Sequence, residues 1–278
     1  MELTEISLYL PQLPECLEGL RILQVGDLHT QGYQREERRL RKVIEQGCDI
    51  LAFTGDFCWQ WRFSNPFISN QKPYKVGLSK HGLVFAPKWK QALEVCRRLL
   101  EGIHFSIGAY AVQGNHDPDD LMSNLVEQGV VPLRNETRQI VINGGDTFNL
   151  CGLNCASRSS LDLPKTVLDI EPDRFAIGMC HYPEMAEPLA QAGVDLILAG
   201  HTHGGQICLS NGNPLTTHSQ TGRKYASGLT HIGRSVIYTT RGLSAVLPIR
   251  INCPPEIVRL ILHKGDANST TIRITNLQ

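Results

Sequence analysis

Arg21-Ile22-Leu23-Gln24-Val25-Gly26-Asp27-Leu28-His29 sets a pattern that recurs down the chain: a short apolar run, a glycine, then side chains able to hold a cation. Ile50-Leu51-Ala52-Phe53-Thr54 leads to Gly55-Asp56, and Ala109-Tyr110-Ala111-Val112 leads to Gly114-Asn115-His116-Asp117. Leu196-Ile197-Leu198-Ala199 leads to Gly200-His201-Thr202-His203, and His181 stands alone behind another apolar run. Runs of this length between turn residues read as buried strands, so the polar groups fall on loops at strand ends. An Asp-x-His phrase leaving a strand in extended conformation would aim both side chains the same way, because residues i and i+2 share a face.

The elements between these phrases predict an α/β sandwich over one continuous core. Residues 35–46 form a charged amphipathic helix with Leu40, Val43 and Ile44 on its inner side and Gly47 as its stop. Further helices are predicted at 88–100, at 118–128 with acids in the first turn, and at 183–192. Strand-like alternation marks 139–142, 147–153, 175–179, 235–239, 257–262 and 271–275. The chain is expected to form a single domain over 1–278, with an insert at about 57–90.

With 278 residues, 41% of them hydrophobic, a sizeable core is available. Twenty-seven basic residues balance 27 acidic ones, so no global field recruits nucleic acid, and none is expected as a partner. Residues 1–18 lack the basic start and long apolar core of a signal peptide, and no run reaches the roughly 18 apolar residues of a membrane span. A cytoplasmic chain without a transmembrane segment is expected, with peripheral membrane contact left open. Nine cysteines without a Cys-x-x-Cys pair read as reduced thiols, most of them buried, with Cys58 and Cys155 less clearly so.

Taken singly, Asp27 with His29 could be a hydrogen-bonded loop pair, Asp56 a turn aspartate, and His201 with His203 a polar turn. Their ordered recurrence at strand ends points to metal. Asp27, Asp56 and Asn115 supply oxygens, and His29, His181, His201 and His203 supply imidazoles. Carboxylate and imidazole without cysteine favour Mn, Fe, Zn or Co over calcium or a structural zinc. Seven ligands exceed the need of one tetrahedral ion, whereas two ions about 3.5–4 Å apart sharing a carboxylate would use them all.

In these phrases the chain resembles the calcineurin-like metallophosphoesterases over about residues 20–205. The resemblance implies a four-layer sandwich of two mixed β-sheets flanked by helices, with two divalent metal ions at the strand ends, manganese first among the candidates. It implies Asp27, His29, Asp56 and His203 at one ion and Asp56, Asn115, His181 and His201 at the other, Asp56 bridging. His116 would assist the departing oxygen, with Asp117 orienting it, while a water activated by the metals attacks phosphorus. His203-Gly204-Gly205-Gln206-Ile207, Thr240-Arg241-Gly242-Leu243 and Asn252-Cys253-Pro254-Pro255-Glu256-Ile257 are similar to a bacterial branch. That branch includes membrane-associated phosphoesterases and UDP-2,3-diacylglucosamine pyrophosphatases.

The implied activity is hydrolysis of a phosphodiester or pyrophosphate in a small, lipid-linked or nucleotide-linked substrate such as UDP-2,3-diacylglucosamine. A phosphomonoesterase or cyclic nucleotide phosphodiesterase is the same-class alternative, and a metal-binding interaction scaffold is the alternative of another class. Residues 57–90 hold all three tryptophans and no Asp or Glu, so Trp59 and Arg62 are candidates to meet such a substrate. Arg241, behind an apolar run and before Gly242, is a third candidate for reaching phosphate. The polar stretch 211–234 reads as a loop forming a second wall, and Asn154-Cys155-Ala156-Ser157-Arg158 departs from the Gly-x-Asp turn of relatives.

Overall fold

The computed structural model describes residues 1–30, 34–58, 89–217, 219–244 and 249–277. Trp59, Arg62 and most of the insert lie outside them. The first half runs β1 (Glu2–Leu10), β2 (Arg21–Val25), α1 (Gln34–Glu45), β3 (Ile50–Phe53), α2 (Trp89–Leu100), β4 (Gly108–Ala111), α3 (Asp119–Asn124) and β5 (Val130–Pro132). The second runs β6 (Glu136–Val141), β7 (Thr147–Gly152), α4 (Leu163–Val167), β8 (Ala176–Met179), α5 (Ala186–Gln191), β9 (Leu196–Ala199), β10 (Gly228–Ile232), β11 (Ser235–Thr239), β12 (Glu256–Lys264) and β13 (Thr271–Asn276).

Two mixed sheets result, in strand orders β13-β1-β12-β2-β3-β4-β5 and β10-β11-β9-β8-β7-β6. Strands β2, β3, β4 and β5 run parallel to one another, as do β7, β8, β9 and β11, whereas β12 meets β2, β6 meets β7 and β10 meets β11 antiparallel. One apolar cluster fills the space between the sheets, joining Ile22, Ile50 and Leu260 of the larger to Leu150, Ile177 and Leu198 of the smaller. A second packs α1, α2 and α3 on the outer face of the larger sheet, and a third packs α4 and α5 on the smaller. Helix α1 shows the logic: Leu40, Val43 and Ile44 recur at helical spacing and are at most 1% exposed. Each is worth about 1.5–3 kcal/mol when fully buried.

The predicted helix over 118–128 is α3 followed by a 3-10 turn at Leu125–Gln128, and that over 183–192 is a 3-10 turn at Pro183–Met185 followed by α5. The 211–234 stretch is not all loop, because Gly228–Ile232 pairs antiparallel with β11. β1 escaped the sequence reading altogether. It lies between β12 and β13, far away in the chain, and its Glu2 and Glu5 fall on half-buried positions that interrupt an apolar run. Cys58 and Cys155 are fully buried, and burial pushes the Cys155 thiol up to about 12, which makes it an inert packing group.

Candidate metal centre

Strands β2, β3, β4, β8 and β9 all end on one rim of the sandwich, which gathers residues from Asp27 to His203. Backbone bonds splice the strand ends: Asp27 N–H donates to Gly55 O at 3.0 Å, His29 N–H to Asp56 O at 2.9 Å and Gly200 N–H to His181 O at 3.1 Å. The side chain of Gln24 joins the sheets by donating to Ala199 O at 2.9 Å. Asp27, His29 and His203 bring ligand atoms within 4.8 Å of one another, as do Asp56, His181 and His201. Asp56 Oδ2 lies between the groups, 3.5 Å from His29 Nε2 and 3.2 Å from His181 Nε2. Asn115 Oδ1 is 3.1 Å from His181 Nε2.

The imidazoles are oriented from behind. Nδ1–H of His29 donates to Cys58 O at 2.9 Å, that of His181 to Thr54 O at 2.8 Å and that of His203 to Ser244 O at 3.0 Å. These bonds put a proton on Nδ1 of each ring, so that in the neutral form Nε2 carries the lone pair. His29 Nε2 and His203 Nε2 then face each other at 3.3 Å, lone pair against lone pair, with Asp27 Oδ1 3.6 Å from the latter. Buried acceptors converge in this way where a cation is to be held, and a carbonyl behind each imidazole is the usual support of a metal ligand. The residues present fit a pair of divalent ions.

The backbone here departs from the extended geometry expected of Asp27-Leu28-His29. Asp27, His29, Asp56, His201 and His203 have φ of 52°, 37°, 58°, 73° and 51°, in the left-handed region that costs a residue with a side chain on the order of 1 kcal/mol or more. The strand ends at Val25, and a tight left-handed bend, rather than the i,i+2 rule, turns Asp27 and His29 to their positions.

Electrostatics follow from the packing. Burial opposes ionisation of Asp56, yet the His181 imidazolium beside it holds the carboxyl well below the usual range. For His181 burial likewise favours the neutral ring, but the Asp56 charge outweighs it and pushes the imidazole up to about 9. Burial raises Asp27 to about 7 and lowers His29 to about 4. A divalent ion must displace the protons on His181 and Asp27. Its affinity is therefore expected to rise as pH goes from 6 to 9, with proton release visible as a buffer-dependent heat in titration calorimetry. A pH-independent affinity would contradict this pairing.

His116 donates its backbone N–H to Asp56 Oδ1 at 2.9 Å, and its ring stands edge-on to His29 with centroids 5.1 Å apart. Asp117 was expected behind His116. Its described hydrogen bonds go to backbone: Oδ2 accepts from Asp56 N–H at 2.7 Å and Gly114 N–H at 3.0 Å, and Oδ1 from Cys58 N–H at 3.0 Å. It ties the Asp56 turn to the Asn115 turn. Arg241 is expected to reach phosphate, but its Nη2 sits 2.8 Å from Glu2 and 2.9 Å from the buried Glu256, spent on ion pairs at the starts of β1 and β12. Two residues outside the ligand phrases also meet the site: Tyr182, whose ring meets His201 edge-on at 4.7 Å, and Arg250, which grips the His203 loop. Arg250 carried a signal, as a lone cation between Ile249 and Ile251.

Two stacked mixed sheets with a mixed carboxylate and imidazole cluster at the strand ends are the arrangement expected of a metallophosphoesterase. The chain belongs to the calcineurin-like phosphoesterase family, whose model matches residues 20–205. It is 28% identical over 267 residues to the uncharacterized metallophosphoesterase YkuE of Bacillus subtilis, covering 92% of this chain and 84% of that one. It is 26% identical over 295 residues to the UDP-2,3-diacylglucosamine pyrophosphatase LpxG of Chlamydia trachomatis, covering 92% and 88%. A Bos taurus transmembrane protein with a metallophosphoesterase domain is 25% identical over 284 residues, 94% of this chain and 56% of that one. Among the described residues no helix is long and apolar enough to cross a membrane.

Proposed function

We propose that this chain is a dinuclear metal-dependent hydrolase of a phosphodiester or pyrophosphate bond in a small, lipid-linked substrate of the UDP-2,3-diacylglucosamine kind. The observation that carries the reading is Asp56 Oδ2, which lies within 3.5 Å of imidazoles from both ligand groups. Asp27, His29, Asp56 and His203 would hold one ion, and Asp56, Asn115, His181 and His201 the other, with manganese the first candidate and iron, zinc or cobalt the others. Such ions, when bound, neutralise phosphoryl oxygens and make a nucleophile of water at neutral pH.

The chain's own part is positioning and proton transfer. Thr54, Cys58 and Ser244 carbonyls fix three imidazoles. Asp117 holds the backbone of the Asp56 and Gly114 turns, and His116, tethered to Asp56 through its N–H, presents its ring to protonate the leaving oxygen. A lipid-linked substrate is supported by four aliphatics on the segments behind His203: Leu209, Leu215, Ile249 and Ile251 are 47%, 55%, 52% and 49% exposed. Those segments are laced together by Ile251 N–H to Gln206 O at 2.9 Å, Cys208 N–H to Ile251 O at 2.9 Å and Leu215 N–H to Ile207 O at 3.0 Å. No Asp or Glu occurs between Asp195 and Glu256, so nothing in this stretch repels an anionic headgroup, and peripheral contact with a membrane surface belongs to the same reading.

His116→Ala is expected to keep both ions while lowering turnover by about 10²–10⁴-fold. Assayed with manganese on UDP-diacylglucosamine, simple diesters, monoesters and cyclic nucleotides, the wild-type chain should turn over the first fastest. Faster release of phosphate from monoesters would overturn the substrate assignment. A near wild-type rate in the variant would remove His116 from the reaction.

A further inference from the structure

Arg250 is a partly buried guanidinium that makes no ion pair among the described residues. Its two Nη groups donate mainly to main-chain carbonyls, with one longer contact from Nη1 to Cys253 Sγ at 3.8 Å. Nη1 donates to His203 O and Cys253 O, both at 3.2 Å, while Nη2 donates to Arg241 O at 2.8 Å, to Gly242 O at 3.4 Å and to Ser244 O. One planar fork thus joins the loop that carries His203 to the loop 241–244. That second loop is itself pinned to the first ligand phrase, with Leu243 N–H on Gly26 O at 3.1 Å and Ser244 N–H on Asp27 O at 2.9 Å. There is no slack in the contact, because a Cβ on Gly242 would lie 2.6 Å from Asp27 Cβ.

Ser244 O is the decisive atom. It accepts from Arg250 Nη2 and also from His203 Nδ1–H, the bond that fixes the ring's tautomer and aims Nε2 at Asp27 and His29. From this we infer that Arg250 is a positioning residue for the ion held by Asp27, His29 and His203, and that it leaves the His181 and His201 subsite untouched. An arginine suits the task because its planar fork serves several carbonyls on two segments at once. A lysine ammonium on a flexible stem has three donors at one point and cannot span them. Arg250 brings a positive charge near a cation site, so the gain must come from geometry, and the charge-preserving variant isolates that gain.

The inference rests on the dimetal reading, and the experiment separates the two. Manganese is titrated into the full chain by calorimetry and followed by electron paramagnetic resonance. Wild type is run first: two ions with an exchange-coupled signal uphold the dimetal reading, and fewer than two refute that reading by itself. Arg250→Lys and Arg250→Met are then expected to keep one site at wild-type affinity, to weaken the other by at least about tenfold, and to lose the coupled signal for that of an isolated ion. Two sites of unchanged affinity in either folded variant would overturn the proposal. So would loss of cooperative thermal unfolding in both, because Arg250 would then be a prop of the whole fold instead of one subsite.

Discussion

Asp56→Asn is expected to reduce phosphodiester turnover by more than about a hundredfold, since loss of a residue merely supporting a metal ligand already costs 10–100-fold. The substitution keeps the volume and removes the charge. That charge is what His29 Nε2 and His181 Nε2 face at 3.5 and 3.2 Å, and its Oδ1 partner accepts the His116 N–H at 2.9 Å. An amide placed there either turns its NH₂ toward His116 N–H, donor against donor in a buried site, or toward the imidazoles, where it occupies the Nε2 lone pairs that an ion would need and brings no charge. Metal analysis of the purified variant should give fewer than two ions per chain, and folding should survive because the backbone bonds of the turn remain. Undiminished hydrolysis of bis-p-nitrophenyl phosphate with two ions bound would remove Asp56 from the centre of the mechanism.

The second large effect needs no change at any ligand. A Cβ on Gly114 would fall 2.2 Å from Asp56 Oδ1 and 2.4 Å from Asp56 N, well inside contact distance, and neither is the free end of a flexible chain. Asp56 is held by Asp117 through its N–H, so Gly114→Ala must push the carboxylate, the turn or both. A shift near 1 Å at a catalytic group costs about 10² in rate, and overpacking costs about 1–3 kcal/mol of stability. The expected result is a folded protein with a lower unfolding temperature, weaker manganese binding and a turnover loss of about 10²-fold. Wild-type kinetics would mean that the two turns can separate freely, contrary to the three backbone bonds that Asp117 makes between them.

How much of this is written in the chain locally? Strands β2, β3, β4, β9 and β11 were legible because each is a short apolar run bounded by turn residues, and a fully buried strand needs nothing more. The seven candidate ligands could be nominated because they sit beside those runs or, for His181, beside β8. What was not legible depends on partners distant in sequence. β1 is a strand because residues 256–264 and 271–276 lie on either side of it. Arg241 looked aimed at the site until Glu2, 239 residues away, claimed it. Arg250 acts on carbonyls, which have no residue identity, so its one mark in the sequence is a lone cation between Ile249 and Ile251. The left-handed bends at Asp27, His29, Asp56, His201 and His203 were hidden for another reason: these residue types do not advertise positive φ as glycine does.

The placement of β1 has a consequence in time. Its nine residues pair in parallel with β12 from Glu2 opposite Glu256 to Leu10 opposite Lys264, and Glu256 also bonds Thr4, Tyr238 and Arg241. Made before both of its partners, this strand waits for β12 and β13, so the larger sheet cannot close until those two strands have emerged. Residues 241–244 and 249–255, which include Arg250 and back His203, lead into β12. The candidate metal rim is thus backed by residues that join the sheet late, and a chain interrupted before β12 is expected to hold the group Asp27, His29 and His203 less firmly.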